Sequence, residues 1–341
     1  MTKAQLPIGL IGAGRIGRVH AQHLSHRIAR AKLLMVSDIC EESAQQCAAQ
    51  FDVEQTTTDY RRVLEHPDIR AVVICSSTDT HAQIIEEAAE CGKQIFCEKP
   101  IDHGLDKIDR ALQSVERADV LLQIGFNRRF DANFRRIRDA VVQGEIGNPH
   151  LLHIISRDPS PPPIEYVKVS GGLFLDMTIH DLDMARYLMG QEVEEIYASG
   201  AVLIDPAIGE AGDLDTAVIV LKFAGGAIGT IDNSRQAVYG YDQRAEVFGS
   251  GGSVQTGNNW PNQVTVLGRK SVTRDLPLNF FMERYLDSYL DEMRQFVEAV
   301  VTGGPSPMSG QEGRISVVMG LAAWKSHQEN RPVRLDEIDP V

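Results

Sequence analysis

The first third of the chain alternates short apolar runs with amphipathic stretches. LPIGLIG (6–12), KLLMVSD (32–38), AVVICS (71–76), QIFCEKP (94–100) and VLLQIGF (120–126) hold apolar residues at successive positions. Such runs predict strands buried on both faces. Between them RIGRVHAQHLSHRI, EESAQQCAAQF, THAQIIEEAAECG and LDKIDRALQSVERA space their apolar residues as amphipathic helices do. Strands alternating with helices predict a parallel sheet covered on both sides, the doubly wound α/β architecture that binds nucleotides. Past residue 126 the rhythm changes. DANFRRIRDAVVQG predicts a helix, PHLLHIISR a strand, and after the loop DPSPPP another helix begins. VEEIYASGAVLI, DTAVIVLKF, AIGTIDNS, RAEVFGS, GSVQTG and NQVTVLG then follow without helices between them, which predicts an antiparallel or mixed sheet. Two long helices, 280–302 and 310–328, close the chain. The division expected is one domain over 1–125 and a second, α+β, over 126–341.

The stretch GGLFLDMTIHDLDMARYLMG (171–190) predicts a helix with an unusual surface. At about 100° per residue, Asp176, His180 and Asp183 fall within roughly 60° of one another. Met177, Ile179, Leu182, Met184, Ala185 and Leu188 occupy nearly every other side. A narrow polar seam on an otherwise buried helix points to chemistry at the seam, which is expected to face a cleft shared with the nucleotide.

Composition narrows the partners. The 341 residues carry a formal net charge of −13, which disfavours nucleic acid or an anionic membrane and suits a neutral small molecule. The five cysteines, Cys40, Cys47, Cys75, Cys91 and Cys97, are odd in number and form no C-x-x-C pair. Neither a disulfide framework nor a zinc site is indicated, and Cys75 and Cys97 sit in apolar runs as core thiols. No leader pattern opens the sequence and no apolar run has the length of a membrane span, so a cytoplasmic location is expected.

GLIGAGRIG sets Gly12, Gly14 and Gly17 as G-x-G-x-x-G between the first strand and a helix that opens with Arg15 and Ile16. Gly12 allows the tight turn, Gly14 lets a pyrophosphate approach the backbone, and Gly17 lets helix and strand pack closely. Asp38 ends the second strand, where a carboxylate binds both adenosine ribose hydroxyls and repels a 2′-phosphate. NAD is therefore favoured over NADP; Asp38 also suits an N-cap for the next helix. SSTDTH after the third strand offers Ser76, Ser77, Thr78 and His81 to the cofactor, and His81 equally suits a helix cap. Glu98 and Lys99 end the strand of CEKP, so the ammonium is expected at the nicotinamide end of the crevice, with Pro100 stiffening the peptide after it.

Together GLIGAGRIG, CEKP, GFNRRFD and GGLFLDMTIHDLDMARYL, with DPAIGEAGDLDTAVIVLKF and AVYGYDQRAEVFG in order, resemble the Gfo/Idh/MocA oxidoreductase family over nearly the whole chain. The likeness is closest to its inositol 2-dehydrogenase branch. It implies an N-terminal Rossmann domain and a C-terminal substrate-binding domain with a large open-faced, mostly antiparallel sheet. The outer face of that sheet often forms oligomer contacts, and a homotetramer is implied. The resemblance also implies that Lys99, Asp176 and His180 are catalytic, and that Asn127 lies near the nicotinamide. One of Arg128 and Arg129, with Arg129 favoured, and one of Tyr239 and Tyr241 would meet a small neutral polyol or sugar. An alcohol loses hydride to NAD only as its hydroxyl proton leaves, so a base must touch that oxygen. His180 titrates near neutral pH and suits the task. Lys99 would stabilise the developing negative charge, and Asp176 would bind a neighbouring hydroxyl or favour the imidazolium.

Several positions keep two readings. Arg129 suits substrate or a local carboxylate such as Asp131, and the tyrosines suit substrate or ordinary strand packing. Asp183 suits support of His180 or a backbone contact. Ser156 stands where the inositol branch often has a histidine. No metal is expected, because Lys99 aimed at the Asp176, His180 and Asp183 trio would repel a dication. The reaction implied is myo-inositol to 2-keto-myo-inositol (scyllo-inosose). Its alternatives are a scyllo-inositol dehydrogenase, an aldose 1-dehydrogenase on glucose-like sugars, or a non-catalytic NAD-sensing regulator.

Overall fold

The computed structural model describes residues 5–340. These divide into two compact units: the described residues up to Asn127 together with Asp287–Ile315, and Arg128–Leu286 together with the described residues from Ser316 onward.

The first unit is built on six parallel strands: β1 (Leu6–Ile11), β2 (Ala31–Ser37), β3 (Gln55–Thr57), β4 (Ala71–Ile74), β5 (Gln94–Glu98) and β6 (Leu122–Gly125). Their order is β3-β2-β1-β4-β5-β6. The chain winds outward from β1 to one side and from β4 to the other, so the switch point lies between β1 and β4, where such folds bind ligands. Four of the helices are α1 (Arg15–Gln22), α2 (Glu41–Gln50), α3 (Thr78–Glu90) and α4 (Leu105–Ala118). The five apolar runs became β1, β2, β4, β5 and β6. The edge strand β3 has the polar sequence QTT, which is too short to show periodicity.

The second unit starts with α5 (Ala132–Val142), whose N-cap Asp131 accepts from the Asn133 and Phe134 amides. Its strands are β7 (Pro149–Arg157), β8 (Val193–Ala201), β9 (Thr216–Phe223), β10 (Ile228–Ser234), β11 (Asp242–Gly249) and β12 (Gly252–Thr256). A separate hairpin joins β13 (Thr265–Leu267) to β14 (Val272–Arg274), and β15 (Val333–Arg334) edges the large sheet beside β8. The sheet is mixed, with order β12-β11-β7-β10-β9-β8-β15 and only the β7–β10 pair parallel. Burial alternates along β9 and β10, leaving one face covered and the other open. Leu151 on β7, Val218 and Val220 on β9, Ile228 on β10 and Phe248 on β11 are exposed.

Two expectations change. The 171–190 stretch is not one helix. It forms α6 (Gly172–Asp176) and α7 (Thr178–Met189), broken at Met177 with φ −95° and ψ −58°, so a single helical projection does not carry across it. The other change concerns α8 (Leu286–Thr302), whose residues from Asp287 on belong with the first unit rather than with a 126–341 domain. Its Leu290, Met293, Phe296 and Val297 enter the core around β1 and β2, and Phe296 meets Phe96 edge-on at 5.8 Å. Helical periodicity shows that an apolar face exists but not which sheet it covers. The last helix, α9 (Gly310–Glu329), contains the division between units at Ile315 and Ser316. All five cysteines are free thiols, with Cys47, Cys75 and Cys97 buried. No helix among the described residues is long and apolar enough to cross a membrane.

Candidate active site

The glycine loop is built as its spacing requires. Gly12 has φ +98°, and a Cβ there would lie 2.4 Å from the Cys75 carbonyl oxygen. A Cβ on Gly17 would lie 2.0 Å from the Gly12 carbonyl oxygen, so helix and loop touch backbone to backbone. Gly14 has open space around its missing Cβ and is the N-cap of α1, where no side chain caps the helix and no acidic residue occupies the first turn. A positive helix end with open space at Gly14 suits a phosphate. Asp38 stands just past β2. It accepts the Ala13 amide at 2.7 Å and the Cys40 amide at 2.9 Å, which ties the loop to the strand end. Cys40, not Asp38, is the N-cap of α2.

Past β4, Ser77 is the N-cap of α3, and the Ser76 and Thr80 hydroxyls lie 2.7 Å apart. His81 is buried. Its Nδ1 lies 2.8 Å from the Pro100 carbonyl and its Nε2 lies 3.0 Å from the Ser76 carbonyl. It therefore braces the two loops from within the fold rather than capping α3 or facing a ligand. Burial, foremost, lowers its pKa. Lys99 is half-buried at the end of β5, and its peptide to Pro100 is cis. Asn127 is buried with its Nδ2 lacking a protein partner, a donor of the kind that a nicotinamide carboxamide would use. The chemistry and shape of this loop, carboxylate and amide set fit NAD.

In the second unit, every residue from Leu173 to Ala185 is buried except Asp176 and His180. Asp176 ends α6 as a fixed acceptor: Tyr166 donates to one oxygen at 2.8 Å and Arg235 to the other at 3.3 Å. Arg235, 1% exposed, also reaches Asp213 at 3.5 Å, and Asp213 accepts the Leu173 amide at 2.8 Å. Gly172 has φ +79°, and a Cβ there would meet Asp213 at 2.7 Å. That close approach explains the glycine at the start of α6.

The other acidic groups of the stretch turn inward. Asp183 accepts a forked pair from Arg129 at 2.6–3.1 Å, so of the two readings of Arg129 the structure shows a carboxylate partner. The partner is not Asp131, which pairs with Arg284. Arg128 donates to Asp181, which also accepts from Asn233 at 2.9 Å. Burial raises the Asp181 pKa while Arg128 opposes the shift. Ser156 and Gln243 join this buried network at 3.0 Å. The two tyrosines are engaged within their own unit. Tyr241 is buried, with its hydroxyl 3.4 Å from Arg128, and Tyr239 donates to Asp242.

The sequence reading missed Tyr166, Arg235, Asp213 and Asp158. Burial pushes the Asp158 carboxyl up to about 6, with Arg235 opposing and Asp176 adding. Only its place at the mouth of the Pro-rich loop could have marked it. Arg235 and Asp176 are 59 residues apart, and nothing in a single sequence joins them.

Two family models match the chain. One, described as an oxidoreductase family with an NAD-binding Rossmann fold, covers residues 6–126; the other, the GFO/IDH/MocA C-terminal domain, covers 134–255. The chain belongs to the Gfo/Idh/MocA family. It is an NAD-dependent oxidoreductase. It is 49% identical to myo-inositol 2-dehydrogenase of Thermotoga maritima over 97% of this chain and 99% of the relative. It is 44% identical to inositol 2-dehydrogenase of Rhizobium meliloti over 96% and 98%. A crystal structure of scyllo-inositol dehydrogenase from Lactobacillus casei with NAD(H) and scyllo-inositol superposes with a TM-score of 0.91 at 30% identity, over 97% of this chain and 99% of that one.

Proposed function

We propose that the protein oxidises one secondary alcohol of a cyclic polyol, converting myo-inositol to 2-keto-myo-inositol (scyllo-inosose). The observation that carries the reading is that Asp176 and His180 alone are only half-buried in an otherwise buried run, in a chain whose relatives are named for inositols. NAD, when bound, supplies the hydride acceptor. His180 takes the hydroxyl proton as the carbon–hydrogen bond breaks, so no alkoxide has to form unaided. Lys99 donates to the same oxygen and stabilises its developing charge. Asp176, fixed by Tyr166 and Arg235, accepts from an adjacent ring hydroxyl and orients the ring. The exposed apolar residues of the large sheet support self-association, with a tetramer as the assembly to be checked by light scattering.

The test is turnover of myo-inositol, scyllo-inositol and glucose with NAD and with NADP. Tight NAD binding without reduction by any of them favours a sensor. A double-mutant cycle of Lys99→Ala and His180→Ala probes the shared oxygen. Strongly non-additive losses are expected of two groups acting on one atom, and additive losses contradict it.

A further inference from the structure

Around Glu98, the residue before Lys99, lies a group of ionisable side chains that the reaction does not use. His20 comes from α1, Glu98 from the end of β5 and Glu292 from α8. All three are buried, and one ligating atom from each lies within 4.8 Å of the others. His20 Nε2 sits 2.7 Å from Glu98 Oε1. Glu292 is 0% exposed and neither carboxyl oxygen has a hydrogen-bond partner. Its surroundings are Glu98, His20, the buried Cys75 thiol just past β4 and the Gln123 carboxamide on β6, which donates to the Glu292 backbone carbonyl at 3.3 Å. Tyr289 packs edge-on against the His20 ring at 5.9 Å.

We propose that His20 and Glu292, acting through Glu98, are positioning residues for Lys99, and that the Glu292 carboxyl is neutral in the folded protein. The positioning role rests on the reading of Lys99 as catalytic. Two like charges this close in a dry interior cannot both persist without a counterion, whereas one carboxylate and one carboxylic acid can. Glu98 is the member with a donor, His20 Nε2 at 2.7 Å, so Glu292, whose oxygens have none, is the one held neutral. His20 Nδ1 has no partner, and an unmatched ring nitrogen is tolerated better as an acceptor than as an N–H. His20 Nε2 is thus the ring nitrogen that carries a proton directed at Glu98.

The connection to Lys99 is through the residues on either side of it. Glu98 is held by His20 and packed against Gly125, where a Cβ would meet its carboxylate at 2.9 Å. The Pro100 carbonyl is held by His81. The backbone carrying the lysine is therefore fixed at both flanks. An ionised Glu292 would push Glu98 off its place and move the ammonium with it. Direction agrees with geometry: burial, then Glu98, raise the Glu292 pKa well above the ordinary carboxyl value.

Infrared difference spectroscopy of wild type against Glu292→Gln at neutral pH tests the neutral head. A carboxylic-acid carbonyl band present only in the wild type is expected, and its absence overturns the assignment. His20→Ala should lower kcat with myo-inositol on the order of ten- to a hundred-fold, the scale of an ångström misplacement, while the Kd for NAD stays within about threefold. His20→Gln keeps a donor and should recover part of kcat. An unchanged kcat in His20→Ala, or loss of NAD binding in step with kcat, ends the positioning role. Lys99→Ala run in parallel separates the two ideas: if it retains turnover, the assignment of the lysine has failed, while the infrared band still decides the state of Glu292.

Discussion

Replacing Asp38 with alanine removes an acceptor that serves both the fold and the cofactor. In the folded chain its two oxygens accept the Ala13 and Cys40 amides at 2.7 and 2.9 Å. Ala13 is 1% exposed, so its N–H would be left buried and unmatched at a cost of about 1–3 kcal/mol; Cys40 is exposed and its amide finds water. A loss of that size lowers Tm by roughly 2–10 °C. A carboxylate offers about four acceptor positions, which leaves capacity for two ribose hydroxyls beyond the two amides. Losing those charge-assisted bonds should raise the Kd for NAD about ten- to a hundred-fold, after water recovers part of their energy. NADP should suffer less, because the repulsion of its 2′-phosphate disappears together with the bonds. Asp38→Asn keeps an acceptor for Ala13 and should preserve Tm while still losing the preference for NAD. Titration calorimetry with both dinucleotides and a melting scan measure the two effects separately. An unchanged NADP/NAD ratio in Asp38→Ala would place the ribose elsewhere, and an unchanged Tm would refute the account of the Ala13 amide.

Lys99→Ala should reduce kcat on the order of a hundred- to a thousand-fold with NAD affinity unchanged; equal losses of both in steady-state and binding measurements would make the lysine a cofactor group. Arg128→Ala strands the fully buried Asp181 carboxylate and should cost about 3–5 kcal/mol in urea unfolding, and a loss below about 1 kcal/mol would contradict the pair's burial. His23 has its pKa lowered to about 4, chiefly by burial, so below its ordinary value the unfolded chain takes a proton that the folded chain refuses. Stability should therefore fall between about pH 6.5 and 4, by about 2 kcal/mol after screening. His23→Gln should flatten that window, and an unchanged acid limb would assign it to other groups.

The Rossmann unit was legible because its signals are local. An apolar run predicts a strand buried on both faces, G-x-G-x-x-G specifies a backbone that only glycine can form at Gly12 and Gly17, and an aspartate at a strand end needs no distant partner to be noticed. Lys99 and the D-x-x-x-H pair were singled out by strand-end position and helical spacing, and their proposed roles came from the family resemblance. What failed had a common cause. Asp176, Asp181 and Asp183 look alike in sequence, yet Asp181 and Asp183 are committed to Arg128 and Arg129 and only Asp176 stays accessible. The projection that put Asp176 in line with His180 and Asp183 assumed an unbroken helix, and the break at Met177 removed that premise.

Sequence alone determined where strands and helices run, that a dinucleotide loop exists, and which side chains have the chemistry to move a proton. Only the tertiary structure decided that α8 completes the first core, that Arg235 and Tyr166 fix Asp176, and that Glu292 lies buried beside Glu98. Backbone preference and hydrophobic period act over a few residues, and so can be read along the chain. Ion pairing and desolvation depend on distance in space, and folding brings together groups that the sequence keeps far apart.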